Sequence, residues 1–160
     1  MLLWYVGVSV LFVANVFRSA GIDYRLIAVG SILPLVVDLP VGHTAFGHTL
    51  LFAVLLLGAV MLLTIGRPRL LRRRLLCLPI GVFCGLVLSG AFTSSDLFLW
   101  PLGATAFPDD PLLPAWWVVA LEELAGLVAC WWVVGQFDLY LPGPRRELLR
   151  TGRLREGAAP

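Results

Sequence analysis

Five apolar stretches dominate this chain: Leu2 to Phe17, Leu26 to Val41, His48 to Ile65, Leu75 to Phe92 and Ala115 to Phe137. Their lengths lie close to or within the roughly 17 to 25 residues that carry a helix across a hydrocarbon core. Inside lipid every backbone amide must be paired within the protein, so only helices or a closed barrel can span. The runs are continuous rather than alternating, which excludes barrel strands. The sequence therefore predicts an all-α protein, a polytopic integral membrane bundle of about five transmembrane helices. Composition points the same way. The chain is 59% hydrophobic and only 14% charged, whereas about one quarter of a soluble domain is charged.

Residues 1–140 read as one transmembrane domain. Residues 141–160 read as a basic cytoplasmic tail, broken by Pro142, Gly143 and Pro144 and expected to be disordered. The first run has no basic segment before it and no small-residue cleavage signal before Phe17, so it reads as a retained helix rather than a signal peptide.

Every basic residue is an arginine, and the arginines are clustered. Arg67, Arg69, Arg72, Arg73 and Arg74 fall within eight residues, and Arg145, Arg146, Arg150, Arg153 and Arg155 lie in the tail. The positive-inside rule puts both segments in the cytoplasm, and the linker from Arg18 to Arg25 with them. The topology is then N-out and C-in, in the inner or plasma membrane. The Arg67 to Arg74 cluster is expected to touch anionic lipid headgroups. A net charge of +2 is too small to argue for nucleic acid. Cys77, Cys84 and Cys130 are odd in number and sit in apolar runs, so they read as small buried residues and not as a disulfide frame.

The polar residues that remain are few, and this topology gathers them on the outer side. The stretch Pro34 to His48 holds Asp38 and both histidines, His43 and His48. The loop Thr93 to Pro114 carries Asp96, Asp109 and Asp110. Glu122 stands seven residues into the last run, about 10 Å deep at 1.5 Å per residue. Histidines with carboxylates are a ligand set for zinc or manganese. The five-residue spacing of His43 and His48 puts them about 140° apart on a helix, so they converge only across a turn, which Gly42 and Gly47 permit. The alternative is that the histidines cap a helix and bond headgroups or water. An acid inside a span normally faces the bundle interior and has a partner or a role. Of the neighbours Glu122 and Glu123, which point about 100° apart, Glu122 is the candidate general base. Its alternative is a protonated acid bonded to a neighbouring helix.

Gly81, Gly85 and Ser89 recur every four residues. This is a small-residue stripe of the kind that packs helices closely in lipid. Trp116–Trp117 and Trp131–Trp132 read as belts at the two interfaces.

The segment GSILPLVVDLPVGHTAFGHTLLF resembles the histidine-bearing segment of the YdjM-type (LexA-regulated) inner-membrane metal-dependent hydrolases, and is similar to small actinobacterial relatives. DLFLWPLG, Asp96 to Gly103, resembles that family's aspartate-to-Trp-Pro stretch. The order of elements agrees over most of residues 1 to 140. The resemblance implies that Asp38 and His48 belong to a metal-binding set, with His43 less firmly placed. Three positions depart from the family pattern. Leu35 stands where an aspartate is typical, and Gly85 and Ser89 stand where the fourth helix typically has a histidine and an aspartate.

Two functions follow. One is a membrane-embedded hydrolase that acts on a lipid or lipid-linked substrate at the outer face, with a divalent metal held by Asp38, His43, His48 and Asp96. The other is a non-catalytic relative serving as a scaffold, a subunit or a lipid-binding protein, with a membrane protein or a second copy of itself as partner.

Overall fold

The computed structural model describes residues 1–17, 21–103, 107 and 111–154. Arg18, Asp109, Asp110 and Arg155 lie outside them. The described residues form helices α1 Leu2–Val16, α2 Tyr24–Asp38, α3 Leu50–Leu63, α4 Arg69–Leu75, α5 Cys77–Leu88, α6 Ser95–Phe98, α7 Trp116–Gln136 and α8 Pro142–Thr151. Short 3-10 turns occupy Phe46–His48 and Ala91–Thr93. Among the described residues no strand forms, and one isolated antiparallel bridge joins His43 to Pro111.

Each apolar run yields one helix, shorter than the run by a few residues. The basic cluster is itself helical: α4 meets α5 at Leu76, whose αR conformation keeps the two almost continuous. Among the described residues one helix, α7, is long and apolar enough to cross a membrane, while α1 and α3 are apolar but shorter. The polypeptide expected to fray after residue 141 instead forms α8. Pro142 and Pro144 lie in its first turn, where the missing N–H would have had no intrahelical partner.

Glycines decide the packing. An added Cβ on Gly81 would stand 2.4 Å from the Ile27 carbonyl oxygen, and one on Gly85 would stand 2.4 Å from that of Ser31. From the facing side, a Cβ on Gly30 would stand 2.3 Å from the Leu78 carbonyl oxygen. Helices α2 and α5 thus touch backbone to backbone, as small-residue stripes allow. Gly81 and Gly85 take the packing role that the sequence predicts. Ser89, at the end of α5, turns its hydroxyl onto the Leu86 carbonyl of its own helix at 3.0 Å. A second close pair is α1 with α7, where a Cβ on Gly126 would fall 2.2 Å from the Trp4 nitrogen and one on Gly7 would fall 2.7 Å from the Gly126 carbonyl oxygen.

At one end of the bundle the starts of α2 and α5 meet α8. Asp23 caps α2 and holds Arg25 through Nε and Nη2, at 3.2 and 3.1 Å. That hydrogen bond raises the Arg25 guanidinium above its ordinary value. Arg25 also donates to the Leu149 carbonyl at 2.9 Å, and the Tyr24 amide donates to the Gly152 carbonyl at 2.8 Å. Leu148 and Leu154 pack against a core of Val13, Tyr24, Ile27, Val133 and Phe137. At the opposite end, Trp4 near the start of α1 donates to the Leu88 carbonyl at the end of α5 at 3.2 Å. The polar turn between α2 and α3 belongs to this second end.

Candidate functional site

Helix α2 stops where Pro40 follows its last residues, and Gly42 (φ +78°) reverses the chain in the left-handed region that favours glycine. The chain then descends to the 3-10 turn and enters α3. Thr49 caps α3 by accepting from the Phe52 amide at 3.2 Å, and its own hydroxyl donates to the Phe46 carbonyl at 2.8 Å.

Asp38, the last residue of α2, is 1% exposed and reaches across this turn. Its Oδ1 accepts from the Gly47 amide at 2.7 Å. Its Oδ2 accepts from the Ala45 amide at 2.8 Å and from Nδ1 of His48 at 2.7 Å. A carboxylate at a helix C-terminus is disfavoured by the helix dipole. Three short donors offset that cost and the cost of burial. Because Asp38 is the acceptor, the His48 proton is assigned to Nδ1, and Nε2 is the nitrogen left for a ligand or a proton. Gly47 fits beneath the carboxylate only because it lacks a side chain: a Cβ there would lie 2.5 Å from the Pro34 carbonyl oxygen and 2.8 Å from Asp38 Oδ1.

His43 takes no part in this junction. Its Nδ1 donates to the Thr44 carbonyl at 3.1 Å, and its backbone bridges to Pro111. The turn and the 93–114 segment therefore touch at Pro111. Aromatic rings join them as well: Phe46 meets Trp100 edge-on at a centroid distance of 6.4 Å, and Trp100 meets Phe107 at 4.8 Å. Trp100 Nε1 is buried without a hydrogen-bond partner. Asp96 is exposed in the first turn of α6.

The two glutamates of α7 sit against α1. Glu123 pairs with the Met1 amino group and accepts from the Leu3 amide at 3.2 Å. Glu122 lies within electrostatic reach of Tyr5, with Oε2 buried and unpartnered. The expected convergence of Asp38, His43, His48, Asp96 and Glu122 resolves into a tight Asp38–His48 pair, with His43 turned to the Thr44 carbonyl, Asp96 exposed on α6 and Glu122 set against α1. Among the described residues, no group of three or more His, Cys, Asp or Glu side chains is placed to hold a metal ion. Asp38 has already committed three of its roughly four lone-pair positions. The described residues do not fit a resident divalent metal. The backbone of Ser31 occupies the space that a side chain at position 85 would need.

The arginines of the cluster are displayed at the other end of the bundle. Arg67, Arg69, Arg72 and Arg73 are exposed and Arg74 is half-buried. Arg72 also contacts the Met61 sulfur at 3.1 Å, which ties α4 to the end of α3.

Sequence reasoning passes over the backbone amides of Ala45 and Gly47 and the cap at Thr49. The signals are there in part: Thr49 directly precedes an apolar run, as an N-cap does. No family model matches the chain, and neither a curated protein nor a solved structure matches it.

Proposed function

We propose that this chain is a multi-pass protein of the inner or plasma membrane. In this reading the Asp38–His48 end faces outward, and the chain is a non-catalytic relative of membrane-bound metal-dependent hydrolases, serving as a scaffold, subunit or lipid-binding protein. The observation that carries the reading is the use of Asp38. Its carboxylate is spent on fixing the α2–α3 turn, which leaves it poorly available as a ligand or base.

Membrane residence is supported by where the apolar surface lies. The central window of α7 is only 17% buried, whereas the core helix of a soluble protein is mostly buried. Leu62, Leu63, Ile65, Trp131 and Trp132 are likewise turned outward. So much exposed apolar surface calls for lipid around it. The two tryptophan pairs sit toward the ends of α7, where interfacial belts belong. The arginines of α4 and α8 share one end and suit a cytoplasmic leaflet with anionic headgroups.

A hydrolase remains the second reading, favoured by one detail. A histidine whose Nδ1 is held by a buried carboxylate is the arrangement that orients metal-ligating imidazoles. Metal content separates the two. Protein purified from membranes in mild detergent is expected to hold substoichiometric zinc and manganese and to melt at the same temperature with and without chelator. Near-stoichiometric metal that disappears in His48→Ala would overturn the non-catalytic reading in favour of the hydrolase.

A further inference from the structure

An apolar groove runs between α1 and α5 on the outside of the bundle. Its main cavity, about 460 Å³, is lined among others by Val8, Phe12, Phe83, Cys84 and Val87. A second cavity of about 220 Å³ continues it toward the basic end and shares Val13, Phe17 and Ile80 with the first. Arg73 lines this second cavity. The groove therefore starts among aliphatic and aromatic side chains and ends at a guanidinium. From Val8 to Phe17 the wall advances nine residues, about 13 Å at 1.5 Å per residue. This matches the depth of one leaflet, about 15 Å of hydrocarbon.

We propose that this groove is a binding site for one anionic phospholipid of the cytoplasmic leaflet. One acyl chain lies between α1 and α5, and the phosphate is held by Arg73. The proposal rests on the membrane residence proposed above. Two features choose this occupant over others. The walls of the main cavity are apolar apart from the buried Ser9, which suits a hydrocarbon chain better than a polar partner. Arg73 stands at one end, beside the exposed Arg69 and Arg72 of the same helix, and this local excess of positive charge favours a phosphate in a headgroup of net negative charge over one balanced by its own cation. Arginine suits this task because its planar fork pairs with phosphate oxygens in a bidentate manner.

The test is native mass spectrometry of the full chain released from nanodiscs of phosphatidylglycerol mixed with phosphatidylcholine. The expected result is one retained phosphatidylglycerol per protomer. Arg73→Gln, a surface change, should lower that retention about fivefold and erase the preference over phosphatidylcholine. Arg69→Gln, on the same helix but outside the groove lining, should lower it less. Cys84→Trp, which fills the groove, should remove the bound lipid of either headgroup. The proposal is overturned by a graded series of loosely held lipids with no discrete first one. Equal retention of both lipids by the wild type, or unchanged retention in Arg73→Gln, would overturn it too, as would dimers in place of lipid adducts. Flotation with the same lipids as vesicles is measured in parallel. Protein that floats but keeps no discrete phosphatidylglycerol overturns the groove alone, whereas protein that does not float overturns membrane residence as well.

Discussion

Asp38 Oδ2 and His48 Nδ1 stand 2.7 Å apart and join the last residue of α2 to the doorstep of α3. The same carboxylate holds the amides of Ala45 and Gly47. It acts as a strut for the turn. Asp38→Ala leaves two buried amides and one ring nitrogen without their acceptor, and should destabilise the protein by about 2–4 kcal/mol. Asp38→Asn should recover only part of this, because its NH₂ group faces a donor. Reversible unfolding in mixed micelles checks both. An unchanged midpoint in Asp38→Ala would mean the turn is held by something else.

The two glycines of this turn are required for different reasons, and they should respond differently. Gly47 is short of space, with the Pro34 carbonyl oxygen 2.5 Å from an ideal Cβ. Gly42 has open space but a φ of +78°. Gly47→Ala should cost about 1–3 kcal/mol through overpacking. Gly42→Asn should cost well under 1 kcal/mol, because asparagine tolerates the left-handed region, and Gly42→Val should cost about 1–3 kcal/mol. The ordering of the three melting midpoints decides the matter.

Glycines in α3 and α5 should respond with opposite signs. Gly85→Ala drives a methyl into the Ser31 backbone and should destabilise by about 1–3 kcal/mol. Gly58 in α3 has nothing within 4 Å. Gly58→Ala should stabilise by about 0.5–1 kcal/mol, the ordinary gain in a helix interior. Unfolding curves of the two variants give the answer directly, and a loss at both sites would contradict the asymmetric packing of these helices.

These contacts mark how far the sequence is legible. The apolar runs locate each long helix, and the four-residue spacing of Gly81 and Gly85 identifies the packing face of α5. The Asp38–His48 turn meets Pro111 and Trp100 of the 93–114 segment, a contact that no residue spacing displays. What the runs do not encode is azimuth. Glu122 stands at a suitable depth for the outer cluster, yet α7 is rotated so that its glutamates meet α1. The glutamates mark the inward face of α7, but nothing in its apolar remainder discloses which neighbouring helix they meet. The partner glycines Gly30, Gly7 and Gly126 are isolated in sequence, so the stripe on α5 has no visible counterpart. In α8, Pro142 and Pro144 look like breakers until they are placed in a first turn.

Arg25, Asp23 and Gly152 form the clasp that holds α8. The C-cap glycine has φ +75°, and a Cβ there would lie 1.8 Å from Asp23 Oδ1. Gly152→Val should therefore release α8 and unwind the backbone at the exposed Arg145 and Arg146, with tryptic cleavage there at least about tenfold faster than in the wild type, given the combined strain and overlap. Arg25→Ala should act more weakly, because its side chain is exposed and solvent screens its ion pair with Asp23. Time courses of limited proteolysis compare the two.

Orientation can be read with single cysteines in a background lacking Cys77, Cys84 and Cys130. A cysteine at His43 should react with an impermeant maleimide added outside intact cells, and one at Arg69 only after lysis. Labelling of the first position solely from the cytoplasmic side would reverse the proposed topology.

The close pairing of Gly7 with Gly126 sets an order of events for assembly. Roughly 120 residues separate the two partners, and synthesis proceeds at about 5–20 residues per second. Helix α1 therefore waits about 6 to 24 s, at those rates, before the surface that covers it has been made. The α2–α5 pair completes sooner, since Gly30 and Gly81 are separated by less than half that length. Until α7 arrives, α1 has its contacts with α2 and α5 alone, and its Gly7 face stays uncovered.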